Sequence, residues 1–145
     1  MDYEKSAEEL MNYMVLGEEH GRLIHHKLSE LAHGELAVLR YLSEEKNGAN
    51  AKDLSKRFKV NTSRTTAILN SLEKKKLIDR VRDKHDKRCV HVYIKPEGTL
   101  YERRLRRHYI KQAAMLLEEI GEEDTKNYIK ILRHILEISR IIPAK

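Results

Sequence analysis

Residues Ala51–Lys95 read AKDLSKRFKVNTSRTTAILNSLEKKKLIDRVRDKHDKRCVHVYIK, and every other expectation for this chain depends on them. Leu54 and Phe58 stand four apart, so they share one face of a short helix from Ala51 to Phe58. Lys59-Val60-Asn61 forms a turn, with Val60 placed to plug the space between two helices. Asn61 or Thr62 can cap the second helix by accepting from its free N–H groups. That helix runs from Thr62 to about Lys76. It buries Thr65, Ile68, Leu69 and Leu72, and turns outward Thr62, Arg64, Thr66, Asn70 and the run Lys74-Lys75-Lys76. Two strands follow. Ile78–Arg82 alternates in part, while Cys89–Ile94 is β-branched and alternating, which buries one face. Between them Asp83-Lys84-His85-Asp86-Lys87 is an entirely polar tip. A short helix, a tight turn, a polar-faced helix and a charged hairpin suit insertion into a DNA groove.

The charge distribution points the same way. Residues 51–111 hold 19 Lys and Arg against 7 Asp and Glu, whereas residues 1–50 hold 5 against 10 and residues 112–145 hold 5 against 6. The whole positive excess of a chain with net charge +6 therefore lies on the motif and the helix after it. A partner made of phosphates accounts for that asymmetry. A solvated basic face is the alternative on charge alone. For Arg103-Arg104-Leu105-Arg106-Arg107-His108 both readings stand, backbone tracking or a solvated face.

The 145 residues make one domain, or one domain with appended helices. With 40% hydrophobic and 36% charged residues the core is small for the length, so some apolar surface is expected to be buried by a partner subunit. Tyr3 to about Leu31 is helical by pattern, with Leu10, Met14, Leu23, Ile24 and Leu28 on a broken apolar stripe. A second helix opens at Gly34-Glu35, carries Leu36, Val38, Leu39 and Leu42, and ends at Lys46-Asn47-Gly48. Beyond the hairpin, Pro96 and Gly98 introduce a long helix from about Thr99 to Ile120, which Gly121 stops. Glu122-Glu123-Asp124 opens the last helix, where the dipole favours acid. That helix carries Tyr128, Ile131, Leu132, Ile135, Leu136, Ile138, Ile141 and Ile142. This apolar arc is too wide for one contact face and predicts packing against another chain.

Several function classes fall away. The single Cys89 allows no intrachain disulfide and fits a reducing compartment. The acidic, polar N-terminus is unlike a secretory signal, and no apolar run reaches bilayer length. A cytoplasmic location without a membrane partner is expected. The glycines are scattered with no phosphate-cradling loop, and neither C-x-x-C nor H-E-x-x-H occurs, so no enzyme, cofactor or metal is expected. Cys89 reads as a small strand residue. Two alternatives are a metal-responsive regulator using histidines such as His20, His25, His26, His33 and His108, and a winged-helix adaptor that binds proteins without touching DNA.

The order helix, helix, helix-turn-helix, two-stranded wing and two long helices resembles the MarR family of winged-helix transcriptional regulators over nearly the whole chain. LEKKKLIDRVRDKHDKR is similar to that family's recognition-helix exit and wing. The family's Arg, followed after a few residues by Asp, Lys or Arg, and Arg, falls on Arg82, Asp86, Lys87 and Arg88. Gly98 stands at the family's spacing after the second wing strand. Two positions depart from the pattern. Lys76 occupies the helix exit, where the family often has Gly; a Lys at positive φ costs roughly 1 kcal/mol, so the helix is expected to run on. Thr65 fills a buried position that is usually aliphatic.

The resemblance implies a mostly α fold with a small β-wing. Residues 34–95 form the DNA-binding lobe, and residues 1–31 and 99–145 form a helical dimerisation lobe. A homodimer would set two recognition helices in successive major grooves of double-stranded DNA, on a pseudo-palindromic operator. Repression by promoter blockage is the usual family outcome. Recognition-helix contacts fall to Thr62, Ser63, Arg64, Thr66 and Asn70, with Arg64 on a guanine edge or clamping a phosphate. In the wing, alongside Arg82, the resemblance places Arg88 in the minor groove with Asp86 pairing to it. Lys84, His85 and Lys87 add phosphate attraction. The family also implies a small, often aromatic, effector. Tyr13, Met14, Tyr41 and Tyr109 are the candidate lining residues, although at their helical spacing the same side chains serve as ordinary core.

Overall fold

A computed structural model of the protein describes residues 1–20 and 31–141. Its elements are α1 (Tyr3–His20), α2 (Glu35–Glu44), β1 (Ala49–Asn50), α3 (Ala51–Phe58), α4 (Thr62–Lys74), β2 (Ile78–Arg82), β3 (Val90–Ile94), α5 (Pro96–Ile120) and α6 (Glu122–Ile141). Leu23, Ile24, Leu28, His25, His26 and Ile142 lie outside the described residues. The chain divides into two compact units, Met1–Arg106 and Arg107–Lys145.

The first unit is built around one apolar cluster. Val38, Leu39 and Leu42 of α2 meet Leu54 and Phe58 of α3, Leu69 and Leu72 of α4, and Ile78 and Val92 of the sheet, all buried, and Leu36 of α2 is buried as well. These are the positions that the helical and alternating patterns select, and Val60 is half-buried against them as the turn requires. Thr65 is 1% exposed and its hydroxyl is fully occupied, 2.8 Å from Ser55 Oγ and donating to the Asn61 carbonyl at 3.2 Å. The buried Thr is accommodated because both its polar partners are present.

Four features differ from the sequence reading. The sheet has three strands in the order β1-β3-β2, all antiparallel. β1 is two residues long, too short to show alternation, and exists only by pairing Ala49 with Val92 and Asn50 with His91. The recognition helix ends at Lys74 instead of running on, and Lys76 adopts φ 58°. Its N–H donates to Glu73 O and that of Leu77 to Leu72 O, so the left-handed residue closes the helix with paired carbonyls and returns Leu77 to the core. Strand β3 begins at Val90, one residue after Cys89. α5 starts at Pro96, which is pre-set for a first helical position.

In the second unit Gly121 turns the chain at φ +86°, and Thr125 Oγ1 donates to the Leu117 carbonyl across the turn. Tyr128, Ile131, Leu132, Ile135, Leu136 and Ile138 are between 42% and 63% exposed, an apolar surface this chain leaves uncovered among the described residues.

Candidate nucleic-acid interface

The recognition helix is aimed by its two ends. Asn61 is its N-cap, the side chain accepting from the Arg64 N–H at 2.8 Å. The preceding helix α3 is held by a reciprocal cap that the sequence reading missed. Asn50 Oδ1 accepts from the Asp53 N–H at 2.8 Å while Asp53 Oδ2 accepts from the Asn50 N–H at 3.3 Å. Lys59, at φ 52°, makes the sharp exit between the two helices. Thr62, Arg64, Thr66 and Asn70 are exposed along α4, as the pattern predicts, and Ser63 is exposed beside them. Thr62 and Thr66 also line a cleft of about 960 Å³ between α4 and the sheet, together with Ser55, Arg80, Arg82 and Arg88.

Arg80, which the sequence did not single out, ties the hairpin to α4. Its Nη2 donates to Asn70 Oδ1 at 2.7 Å and its Nε lies 3.5 Å from Glu73 Oε2, both on α4. Asn70 is therefore partly committed to the wing, and less free for base contact than its position on the helix suggests.

The wing tip is organised by two aspartates. Asp83 Oδ1 accepts from the N–H groups of His85 (2.7 Å) and Asp86 (2.9 Å), and Asp86 Oδ1 accepts from the Arg88 N–H at 3.0 Å. The expected side-chain pair between Asp86 and Arg88 is not formed among the described residues. Asp86 fixes Arg88 through its backbone, because an aspartate two residues ahead of an N–H closes a local turn more cheaply than it holds a long side chain. The spacing Asp83, Asp86, Arg88 was the available signal for this role. Hydrogen bonds from Asp86 and His85, then His91, hold the Asp83 carboxyl below the usual carboxylate range. Cys89 is half-buried beside the tip. Burial and the nearby Asp86 push its thiol up, so it stays protonated and unreactive at neutral pH.

The cations sort into two sets. Arg40 pairs with Glu44, Lys46 with Asp53, Arg57 with Glu45 and Lys75 with Glu35. The side chains of Arg64, Arg82, Lys84, Lys87 and Arg88 are exposed and make no ion pair or hydrogen bond among the described residues. The cations that the groove-binding pattern selects are thus all free, as are other exposed cations such as Lys56, Lys59, Lys74, Arg103 and Arg104, which no ion pair holds among the described residues.

The four candidate effector residues lie on three different helices. Tyr41 packs on the first unit's core, its ring edge-on to Phe58 at 5.8 Å, which is the core role. Tyr13 and Met14 are exposed on α1, and Tyr109 belongs to the second unit. Among the described residues no group of His, Cys, Asp and Glu is placed to hold a metal ion. No described helix is long and apolar enough to cross a membrane.

Comparison with known proteins bears on this geometry. Residues 31–90 match the model of the MarR family. Over 69 residues the chain is 32% identical to the uncharacterized HTH-type transcriptional regulator YpoP of Bacillus subtilis strain 168, a match covering 48% of either protein. The chain thus spans about half the length of that relative. The crystal structure of YusO from Bacillus subtilis superposes with a TM-score of 0.70 at 17% identity, covering 94% of this chain and 98% of that one. Streptococcus pneumoniae FabT, solved in complex with DNA, gives 0.61 at 21% identity, covering 98% and 100%. At such identities the two structures establish the fold. The helix-turn-helix and wing thus match the MarR family model over residues 31–90, and the fold of these two structures extends over nearly the whole chain.

Proposed function

We propose that the protein is a sequence-specific regulator of transcription that grips double-stranded DNA as a homodimer. The observation that carries this reading is the free cation set. Arg64 at the start of α4 and Arg82, Lys84, Lys87 and Arg88 on the wing are unpaired, while the cations of α2 and of the α2–β1 loop are neutralised by neighbouring carboxylates. Unpaired exposed cations on a helix and a hairpin match a polyanion with two grooves. Thr62, Ser63 and Thr66 add hydroxyls at a helix start whose N–H groups favour phosphate. Residues 34–95 serve as the reading lobe. Helices from residues 1–31 and 99–145 supply the dimer contacts, for which the exposed apolar side chains of α6 are the support. Two lobes related by a two-fold axis would read a pseudo-palindromic operator, and occupancy of a promoter would repress it. A small-molecule effector that weakens the grip is the regulatory half of the proposal. It rests on the family's usual behaviour, with Tyr13, Met14, Tyr41 and Tyr109 as the residues to vary.

The deciding experiment is selection of bound duplexes from a random pool, followed by gel shifts at graded salt. A recurrent inverted repeat, and affinity that falls steeply with salt, are expected. Absence of any duplex binding at low salt would overturn the reading.

A further inference from the structure

His91 stands on β3 at the root of the wing, and each of its ring nitrogens faces an acceptor. Nδ1 lies 2.7 Å from the Gly48 carbonyl oxygen and Nε2 lies 3.1 Å from Asp83 Oδ2. A carbonyl and a carboxylate only accept. A neutral imidazole carries one N–H and can satisfy one of them, whereas the doubly protonated ring satisfies both. Asp83 is held as the ionised partner by the two N–H groups at its other oxygen. One carboxylate therefore closes the wing-tip turn and meets His91 at the same time. On the far side Gly48 is itself anchored, its N–H donating to the Val92 carbonyl at 2.9 Å. The result is a continuous link from the loop before β1, through the imidazole, to the hairpin tip that presents Arg88.

The charges bearing on the ring are both negative. Asp83 faces it from the end of β2, and Asp53 of α3 adds a weaker pull. Lys46, in the loop before β1, is drawn to Asp53 at 2.9 Å. On β2 the residue opposite His91 is Val81, which carries no charge.

We propose that His91 is a positioning residue for the DNA grip: as an imidazolium it pins the wing tip to the loop before β1, and losing one proton frees the tip and weakens duplex binding. This rests on the DNA-binding reading above. The bond to Gly48, then the bond to Asp83, raise the His91 pKa above its ordinary 6.5, so the pin is complete below that value and is lost as pH climbs through the raised one. Affinity should fall about tenfold for each unit by which DNA raises that midpoint.

Two measurements on the full chain test it. Nitrogen NMR of the imidazole is expected to show both ring nitrogens of His91 protonated, with a midpoint above 6.5. The His85 and Asp86 amides should shift with the same midpoint. Asp83→Asn, which keeps the oxygen that caps the turn, should lower it. Duplex binding is then followed against pH in an His85→Gln background, which removes the tip's other imidazole, using a labelled duplex enriched from the random pool. Affinity should drop across the His91 midpoint, drop earlier in Asp83→Asn, and lose that step in His91→Gln. A His91 midpoint at or below 6.5, tip amides that ignore it, or a binding profile unchanged by His91→Gln would each overturn the proposal. Binding that ignores pH removes only this inference, whereas no binding at any pH removes the DNA reading and the inference with it.

Discussion

At the scale of single residues, Arg64 and Arg88 are both exposed and make no ion pair among the described residues, yet they sit on different elements, a helix and a hairpin. Arg88 is delivered by a hairpin whose backbone Asp86 holds. Arg64 is delivered by a capped helix start. Arg88→Ala should lower affinity for all site variants by a similar factor. Arg64→Ala should also relax the preference at one base pair, a discrimination of about 1–3 kcal/mol, as read by competition among single-base variants of the selected duplex. Equal behaviour of the two variants would reject the split. Lys76 makes the opposite kind of statement. It occupies a left-handed position at φ 58° with no compensating side-chain bond among the described residues. Lys76→Gly should stabilise the fold by about 1 kcal/mol, seen as a higher urea midpoint at unchanged slope. The sequence marked this position as anomalous but chose the wrong remedy. A helix that ran on would have carried Leu77 away from the core that buries it.

Among the elements, the start of α5 is a tight junction. A Cβ on Gly98 would stand 2.3 Å from the Leu77 carbonyl oxygen and 2.8 Å from Ile94 Cγ1. Both belong to the wing's root, and backbone cannot yield as a side-chain tip can. Gly98→Ala should cost roughly 3 kcal/mol in chemical denaturation and disturb the amide shifts of β2 and β3 first. The Gly was legible as a family spacing, but its cause is an approach between chain segments that no local pattern reveals. Helix α3 carries an electrostatic prediction. Lys46, then the Asn50 backbone N–H, hold the Asp53 carboxyl below its ordinary 3.8. Its contribution is complete above that value and disappears as pH falls beneath it. Denaturation midpoints should therefore decline on acidification below about 4. The decline should be shallower in Asp53→Asn, and an identical acid limb in both proteins would rule the pair out as its source.

For the whole molecule, the second unit bears an apolar face that its own residues leave open. Ile131, Ile135 and Leu136 are each more than half exposed. A soluble monomer seldom presents such a contiguous surface. Truncation before Thr125 should convert a dimer into monomer or aggregate, as read by light scattering. A well-behaved dimer without α6 would place the interface elsewhere. The last helix's width of apolar arc was visible in the sequence because periodicity is local. The closeness of Arg80 to Asn70 was not, since it depends on how a strand crosses a helix.

The residues alone determined which of the described segments are helical, where the helix from Thr62 starts, and that the positive excess gathers between residues 51 and 111, because capping, periodicity and charge are properties of neighbours along the chain. Tertiary structure decided which cations are neutralised and which stay free. It also created a two-residue strand from a loop, and brought His91 between Gly48 and Asp83, 43 and 8 positions away. Each of these outcomes requires groups distant in sequence to be held at hydrogen-bonding range, and only a packed core can hold them there.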